Sequence, residues 1–393
     1  RRTGVLLPRL PMLVRPLLAV LFRVMFRFSV AGRERLPLAP PFFVVAAHRS
    51  YLDPVFVGKA LPFVAAFVTT APSMRSALGG FVLRRLMSIP RQRWTSDPGS
   101  LRGIRKALRE GFVVGLFPAG ERSWSGAAGA LKPEVVRLLQ HHADVPIVPV
   151  RIAGAYHAWP RWRRFPGRTV VRVEFGEPFR LTPDLAPEQA LAELASGLAV
   201  GEEPEAQDRC VRRAAGLARL VYRCPACRSW WPAGSDRAAS LSCARCEATV
   251  TLTERLTAMV EAGGAVRELS LASLYEKIRL RAEEWKPGKD SPSLPRVAAR
   301  VRSEVSDVSV QELEGELQLE ADELIASGAR GRLLVRLSEI EAAVIEGDSR
   351  LLIYEPRSRR LTEVRVATSG ALLWQDAIVA VAEARGLPAP RRA

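Results

Sequence analysis

Short apolar runs alternate with amphipathic stretches through the first half of the chain. The runs FFVVAA (42–47), FVAAFVT (63–69), FVVGLF (112–117), VPIVPVRI (145–152) and TVVRVEF (169–175) are too short for buried helices and are bounded by turn-forming residues, so they predict buried strands. Between them, helical spacing appears around 75–86, 100–110 and 133–142. Strands alternating with helices predict an αβα sandwich over 31–200 with a mostly parallel sheet. In such sheets ligands sit beyond the carboxyl ends of strands, where the segments AHRS and PAGERS fall. Residues 180–220 read as mostly helical, with the acidic GEEPEAQD (201–208) as a linker, and 253–300 as a helical linker ending in a polar loop. From 305 to 390 the pattern becomes short alternating runs closed by one amphipathic helix at 370–385, which predicts a small β-rich module.

The segment 5–28 has a different texture. Arg9, Arg15, Arg23 and Arg27 interrupt its leucines, valines and phenylalanines, and its longest charge-free run is seven residues. A spanning helix needs about 20. Residues 1–30 are therefore expected to form a helical segment lying in the lipid headgroup plane, its arginines meeting phosphates. A core helix with snorkelling arginines is the alternative. Charge supports a basic partner-facing half. The chain has 58 Lys+Arg against 41 Asp+Glu, and residues 1–180 hold 29 basic and 9 acidic residues, a net of +20, while the remainder is at −3. Such surfaces attract anionic lipid, nucleic acid or acidic metabolites. The segment YHAWPRWRRFPGR (156–168), with Trp159, Trp162 and Phe165 among basic residues, suits the same membrane interface.

The chemistry concentrates in two constellations. In AAHRSYLD (46–53), His48 follows a predicted strand and Asp53 lies five positions on. A neutral imidazole whose other nitrogen is held by a carboxylate can take a proton from an attacking hydroxyl. Downstream come LMSIPR, ending in Arg91, then FPAGERS (117–123), then VPIVPV (145–150). In this order and at these intervals, the four blocks resemble the glycerolipid acyltransferase superfamily, of the 1-acylglycerol-3-phosphate acyltransferase type, over roughly residues 15–180. The resemblance implies transfer of a fatty acyl group from acyl-CoA or acyl carrier protein to a lysophospholipid hydroxyl. It implies His48 as general base, Asp53 as its orienting partner, and Arg91 and Arg122 as ligands of the acceptor phosphate. Guanidinium forks suit phosphate oxygens, and Gly120 leaves room for backbone N–H groups near an anion. Glu121 and Lys132 are candidate substrate-orienting residues. The family usually has glutamate where Ala119 stands, and Glu121 follows two positions later. Either Glu121 takes over, or the acceptor or the activity differs.

The second constellation is C-x2-C-x15-C-x2-C, formed by Cys224, Cys227, Cys243 and Cys246. This spacing predicts a structural Zn2+ ribbon over 221–252, with four thiolates and no open coordination position. CxxC pairs of this kind suit a reducing compartment. With the basic N-terminal segment, they place the expected protein on the cytoplasmic face of a membrane, bound peripherally to phospholipids. A ribbon also raises nucleic acid as a partner, but the positive charge lies in 1–180 rather than around it, and no RNA-recognition, helix-turn-helix or KH signature is present. A catalytically impaired lipid-binding scaffold is the remaining alternative. The strands and closing helix of 305–390 resemble a pleckstrin-homology or GRAM-like module.

Overall fold

The computed structural model describes residues 14–70, 88–91, 97–198, 210, 213–231, 240–285, 294–305, 309–347, 349–366 and 370–392. The chain divides into two compact units, Arg1–Arg161 with Phe165–Cys210, and Trp162–Arg164 with Val211–Ala393. The helix expected at 75–86, the acidic linker at 201–208, most of the polar loop at 285–295 and the first 13 residues of the N-terminal segment lie outside the described residues.

In the first unit, strands β1 (Phe26–Ala31), β2 (Phe43–Ala46), β3 (Ala65–Thr70), β4 (Ile89–Arg91), β5 (Val113–Leu116), β6 (Ile147–Ala153) and β7 (Thr169–Phe175) form one sheet in the order β1-β7-β6-β2-β5-β3-β4. Pairing is parallel except between β6 and β7. The helices are α1 (Val14–Met25), α2 (Asp53–Ala60), α3 (Pro98–Arg109), α4 (Pro133–Gln140), α5 (Ala155–Ala158) and α6 (Pro187–Leu198). Residue parity along β2 explains the layering. Val44 and Ala46 pack with Phe56, Val57 and Ala60 of α2 on one face. Phe43 and Val45 pack with Ile104 and Leu108 of α3, Val136 and Leu139 of α4 and Leu194 of α6 on the other. Burial on both faces accounts for the continuous apolar runs.

One expectation needs correction here. The helix of the 1–30 segment stops at Met25, and 26–31 is strand β1, paired in parallel with β7. Its residues FRFSVA alternate, with Phe26 buried and Arg27 exposed, a period of two that no helix uses. Within 180–220, α6 is the only α-helix among the described residues.

In the second unit, β8 (Ser240–Ser242), β9 (Thr249–Leu252), β10 (Thr257–Ala262) and β11 (Ala265–Ser270) form an antiparallel sheet in the order β11-β10-β9-β8. The helical linker expected at 253–300 is thus corrected: only α7 (Leu271–Ile278) is α-helical there among the described residues, and the ribbon sheet continues to Ser270. Gly263 and Gly264, at φ 58° and 77°, close the β10–β11 hairpin. A two-residue turn with positive φ at both positions is the strongest use of a Gly-Gly pair. Strands β12 (Val297–Val305), β13 (Ser309–Glu320), β14 (Glu323–Gly328), β15 (Gly331–Arg336), β16 (Ala342–Glu346), β17 (Arg350–Glu355) and β18 (Arg360–Val366) make a second antiparallel sheet, ordered β15-β14-β13-β12-β18-β17-β16. Helix α8 (Ala371–Ala384), buried through its first three turns, packs on β16 and β17. The expected β-rich module with a closing helix is present.

Candidate functional site

The site forms where β2, β5 and β4 end. These strands point the same way within the sheet, so their C-terminal ends share one edge. His48 follows β2, the turn 117–122 follows β5, and Arg91 closes β4 opposite Thr70 of β3. The structure brings His48, Asp53, Gly120, Glu121, Arg122 and Lys132 into one corner and puts Arg91 on the same edge, beyond β3.

Asp53 opens α2, where a carboxylate meets the positive end of the helix. It is fully buried, and its Oδ2 accepts hydrogen bonds from His48 Nδ1 at 2.8 Å, Arg49 N at 2.7 Å and Ser50 N at 2.8 Å. A carboxylate facing two backbone donors serves as acceptor, so His48 Nδ1 carries the proton and Nε2 presents a lone pair. The His48 ring stacks on Phe117, centroids 4.3 Å apart, and its side chain is 15% exposed. Burial lowers the His48 pKa below 6.5; Asp53 pulls it back up, and the positive charges of Arg122 and Arg161 push it further down. The imidazole is therefore neutral at pH 7, as a base must be.

The turn after β5 is tied to this pair directly. Ser123 N donates to the His48 carbonyl at 2.9 Å, and Gly120 N donates to Phe117 O at 2.9 Å with φ 72°. The left-handed conformation favours glycine, while a Cβ at 120 would meet only the flexible end of Lys132, 2.9 Å from its Cε. Lys132 accordingly lies against the turn, its N–H bonded to Pro118 O at 3.0 Å. The Arg122 guanidinium sits 3.9 Å from the centre of the Tyr51 ring, a cation–π contact. Glu121 turns toward Arg161, with Oε2 3.2 Å from its Nη1.

Sequence reading missed Tyr51, Phe117, Trp124 and Arg161. Tyr51 and Phe117 sit inside the quoted blocks, but nothing in the spacing marks them as ring partners of Arg122 and His48. Arg161 was hidden inside the aromatic-basic stretch read as a membrane-facing stripe. That reading is corrected in part: Trp162, Arg161 and Arg163 are buried, and Phe165 is 64% exposed.

The four cysteines converge as predicted. Their Sγ atoms lie within 4.8 Å of one another, with Cys224–Cys246 at 3.7 Å and Cys227–Cys243 at 3.5 Å. A tetrahedron of thiolates about 2.3 Å from a metal has edges of about 3.8 Å, so the set fits an ion. Each knuckle repeats the same turn. Arg228 N bonds Cys224 O and Glu247 N bonds Cys243 O, with Arg228 at φ 62° and Glu247 at φ 58°. Ser229 Oγ lies 3.1 Å from both Cys227 Sγ and Cys243 Sγ, where its single O–H can donate to one thiolate ligand.

Residues 27–153 match the family model described as Acyltransferase. The chain is 27% identical over 127 residues to the 1-acyl-sn-glycerol-3-phosphate acyltransferase of Bacillus subtilis, covering 32% of this chain and 62% of that protein. It is 30% identical over 132 residues to the probable 1-acyl-sn-glycerol-3-phosphate acyltransferase of Mycoplasma genitalium, covering 32% and 49%. The chain thus spans between about half and two thirds of the length of these curated relatives. The crystal structure of the 1-acyl-sn-glycerophosphate (LPA) acyltransferase PlsC from Thermotoga maritima is similar at 24% identity and a TM-score of 0.37, over 44% of this chain and 69% of that one. Residues 27–153 thus match the acyltransferase family model, in one chain with a four-cysteine cluster.

Proposed function

We propose that the protein is a peripheral membrane O-acyltransferase that moves a fatty acyl group from acyl-CoA or acyl carrier protein to the hydroxyl of a lysophospholipid such as 1-acylglycerol 3-phosphate. The observation that supports this most is the His48–Asp53 pair, 2.8 Å apart, in contact with the turn that holds Arg122. In this reading His48 Nε2 takes the proton from the acceptor hydroxyl as its oxygen attacks the thioester carbonyl. The tetrahedral intermediate collapses with loss of the C–S bond, and the imidazolium returns its proton to the leaving thiolate. Asp53 stabilises the imidazolium. Arg122, Arg91 and Lys132 supply positive charge for the acceptor phosphate, at the strand-end position where α/β sheets bind ligands.

Membrane attachment would come through α1. Phe22 packs edge-on against Phe26, Phe28 and Phe56, while Val20, Leu21 and Val24 are each more than half exposed beside Arg23. Among the described residues no helix is long and apolar enough to cross a membrane, and an exposed apolar ridge beside arginine suits the headgroup region of a cytoplasmic leaflet. The cysteine cluster would hold structural Zn2+, and the strands and closing helix of the second unit would serve as a pleckstrin-homology or GRAM-like module.

The test is direct. Purified protein is given acyl-CoA and a panel of lysophospholipids, and free thiol is measured. Acceptor-dependent thiol release supports the enzyme. Vesicle binding without release would instead support a lipid-binding scaffold, a reading that Ala119 keeps open.

A further inference from the structure

Arg161 lies eight residues beyond the segment that matches the acyltransferase family, yet its side chain reaches back into the third-block turn. It is 2% exposed. One nitrogen, Nη1, donates to Glu121 Oε2 at 3.2 Å and to the Arg122 carbonyl at 3.2 Å. The guanidinium carbon, Cζ, lies 4.6 Å from the Trp124 ring centre. Trp124 is fixed in turn by Tyr156, whose hydroxyl donates to its carbonyl at 2.8 Å. A buried ion pair gives little net stability, because desolvating both charges offsets their attraction. What it does give is geometry. The turn 117–124 contains one carboxylate, Glu121, and position 119 is alanine. That carboxylate pairs with Arg161, and the shared nitrogen clamps the backbone of the next residue, Arg122, whose own side chain rests on Tyr51. A guanidinium is suited to such a clamp because its donors form a rigid fork.

We propose that Arg161 is a positioning residue for the acceptor site: through Glu121 and the Arg122 carbonyl it holds the turn in the form that presents Arg122 to an anionic acceptor group. This rests on the acyltransferase reading above. The positive charge of Arg161 also acts on His48, helping to keep the imidazole neutral.

The experiment compares wild type with Arg161→Met, Arg161→Lys, Glu121→Gln and the double variant Arg161→Met/Glu121→Gln. Acceptor KM and kcat are measured with lysophosphatidate and acyl-CoA, and the His48 imidazole is titrated by NMR. Misplacing a substrate-positioning group by about 1 Å can cost on the order of a hundredfold. Arg161→Met should therefore raise acceptor KM at least about tenfold, with a smaller fall in kcat. Arg161→Lys should recover part of the loss. The double variant should match Arg161→Met, because both changes cut one linkage. It strands no lone charge, so it stays usable where Arg161→Met fails to fold. In Arg161→Met and in the double variant the His48 midpoint should move up. An unchanged acceptor KM in folded Arg161→Met or in the double variant, or effects of the two single changes that multiply in the double, would overturn the proposal. Wild type that transfers acyl groups to no lysophospholipid would sink the acyltransferase reading instead. The NMR midpoint needs no turnover; one that stays put on loss of Arg161 removes the charge effect on His48, and the acceptor KM alone then decides the positioning claim.

Discussion

Replacing Asp53 by asparagine isolates the charge behind His48 from its geometry. Three donors converge on Oδ2: His48 Nδ1, Arg49 N and Ser50 N. An amide oxygen will stay at that position, because the NH2 group would face two backbone N–H groups there. The imidazole thus keeps its tautomer, and the change removes the negative charge. Two unit charges about 4 Å apart interact by about 4 kcal/mol at an effective dielectric of about 20. This stabilisation acts only once His48 becomes imidazolium, so most of it is lost from the transition state. At 1.36 kcal/mol per decade, kcat should fall about 10²–10³-fold, with acceptor KM little changed. The amide NH2 then occupies the Oδ1 position, where Asp53 finds no hydrogen-bond partner among the described residues. Burying those donors unpaired should cost about 1–3 kcal/mol of stability, read by chemical denaturation. Asp53 raises the His48 pKa, so the acid limb of kcat/KM should also move to lower pH in this variant. Asp53→Asn protein that is folded and turns over within about threefold of wild type would refute the dyad, since the Coulomb argument demands far more.

Three further outcomes follow from the same geometry. The His48 pKa is lowered, so the acid limb of wild-type kcat/KM should lie below pH 6.5, and Arg122→Gln should shift it upward by removing a repelling charge. Because the folded state resists protonating His48, this group's contribution to stability should decline as pH falls through the unfolded value near 6.5; equilibrium denaturation at pH 5 and 7 in wild type and His48→Gln checks the sign. Purified protein should contain one zinc per chain, and Cys227→Ser should lose it. Structural zinc supplies about 10–16 kcal/mol of apparent binding energy in small fingers, so hydrogen exchange across 222–252 should rise sharply.

The αβα layering was readable because both faces of the sheet are buried, which makes β2 and β5 unbroken buried runs and leaves β6 buried through Val150, up to the exposed Arg151. Strand β1 was not, since Phe26–Ala31 follows an arginine-punctuated helix without a turn signal, and only parallel pairing with β7 makes it a strand. The β10–β11 hairpin was missed although Gly263-Gly264 announces it, because the flanking residues also fit a helix. At the site, the His48–Asp53 pairing was legible from residue chemistry, while Arg122 was singled out through the resemblance of the four blocks to a known family; the fold brings these residues into one corner, since each block spans one strand end and its loop. Arg161 was not. Its partners lie about 40 positions away, and an arginine between tryptophans reads equally as a surface group until burial is known. The contact of Glu121 with Arg161 was equally hidden, for the same reason of sequence distance.

The central claim is that His48 deprotonates an acceptor hydroxyl. The most direct measurement is formation of diacyl lipid from labelled acyl-CoA and lysophosphatidate by wild type and by His48→Ala protein shown to be folded by circular dichroism. The account predicts product from wild type and a loss of at least about 10²-fold without the general base. Equal product from both proteins would contradict it.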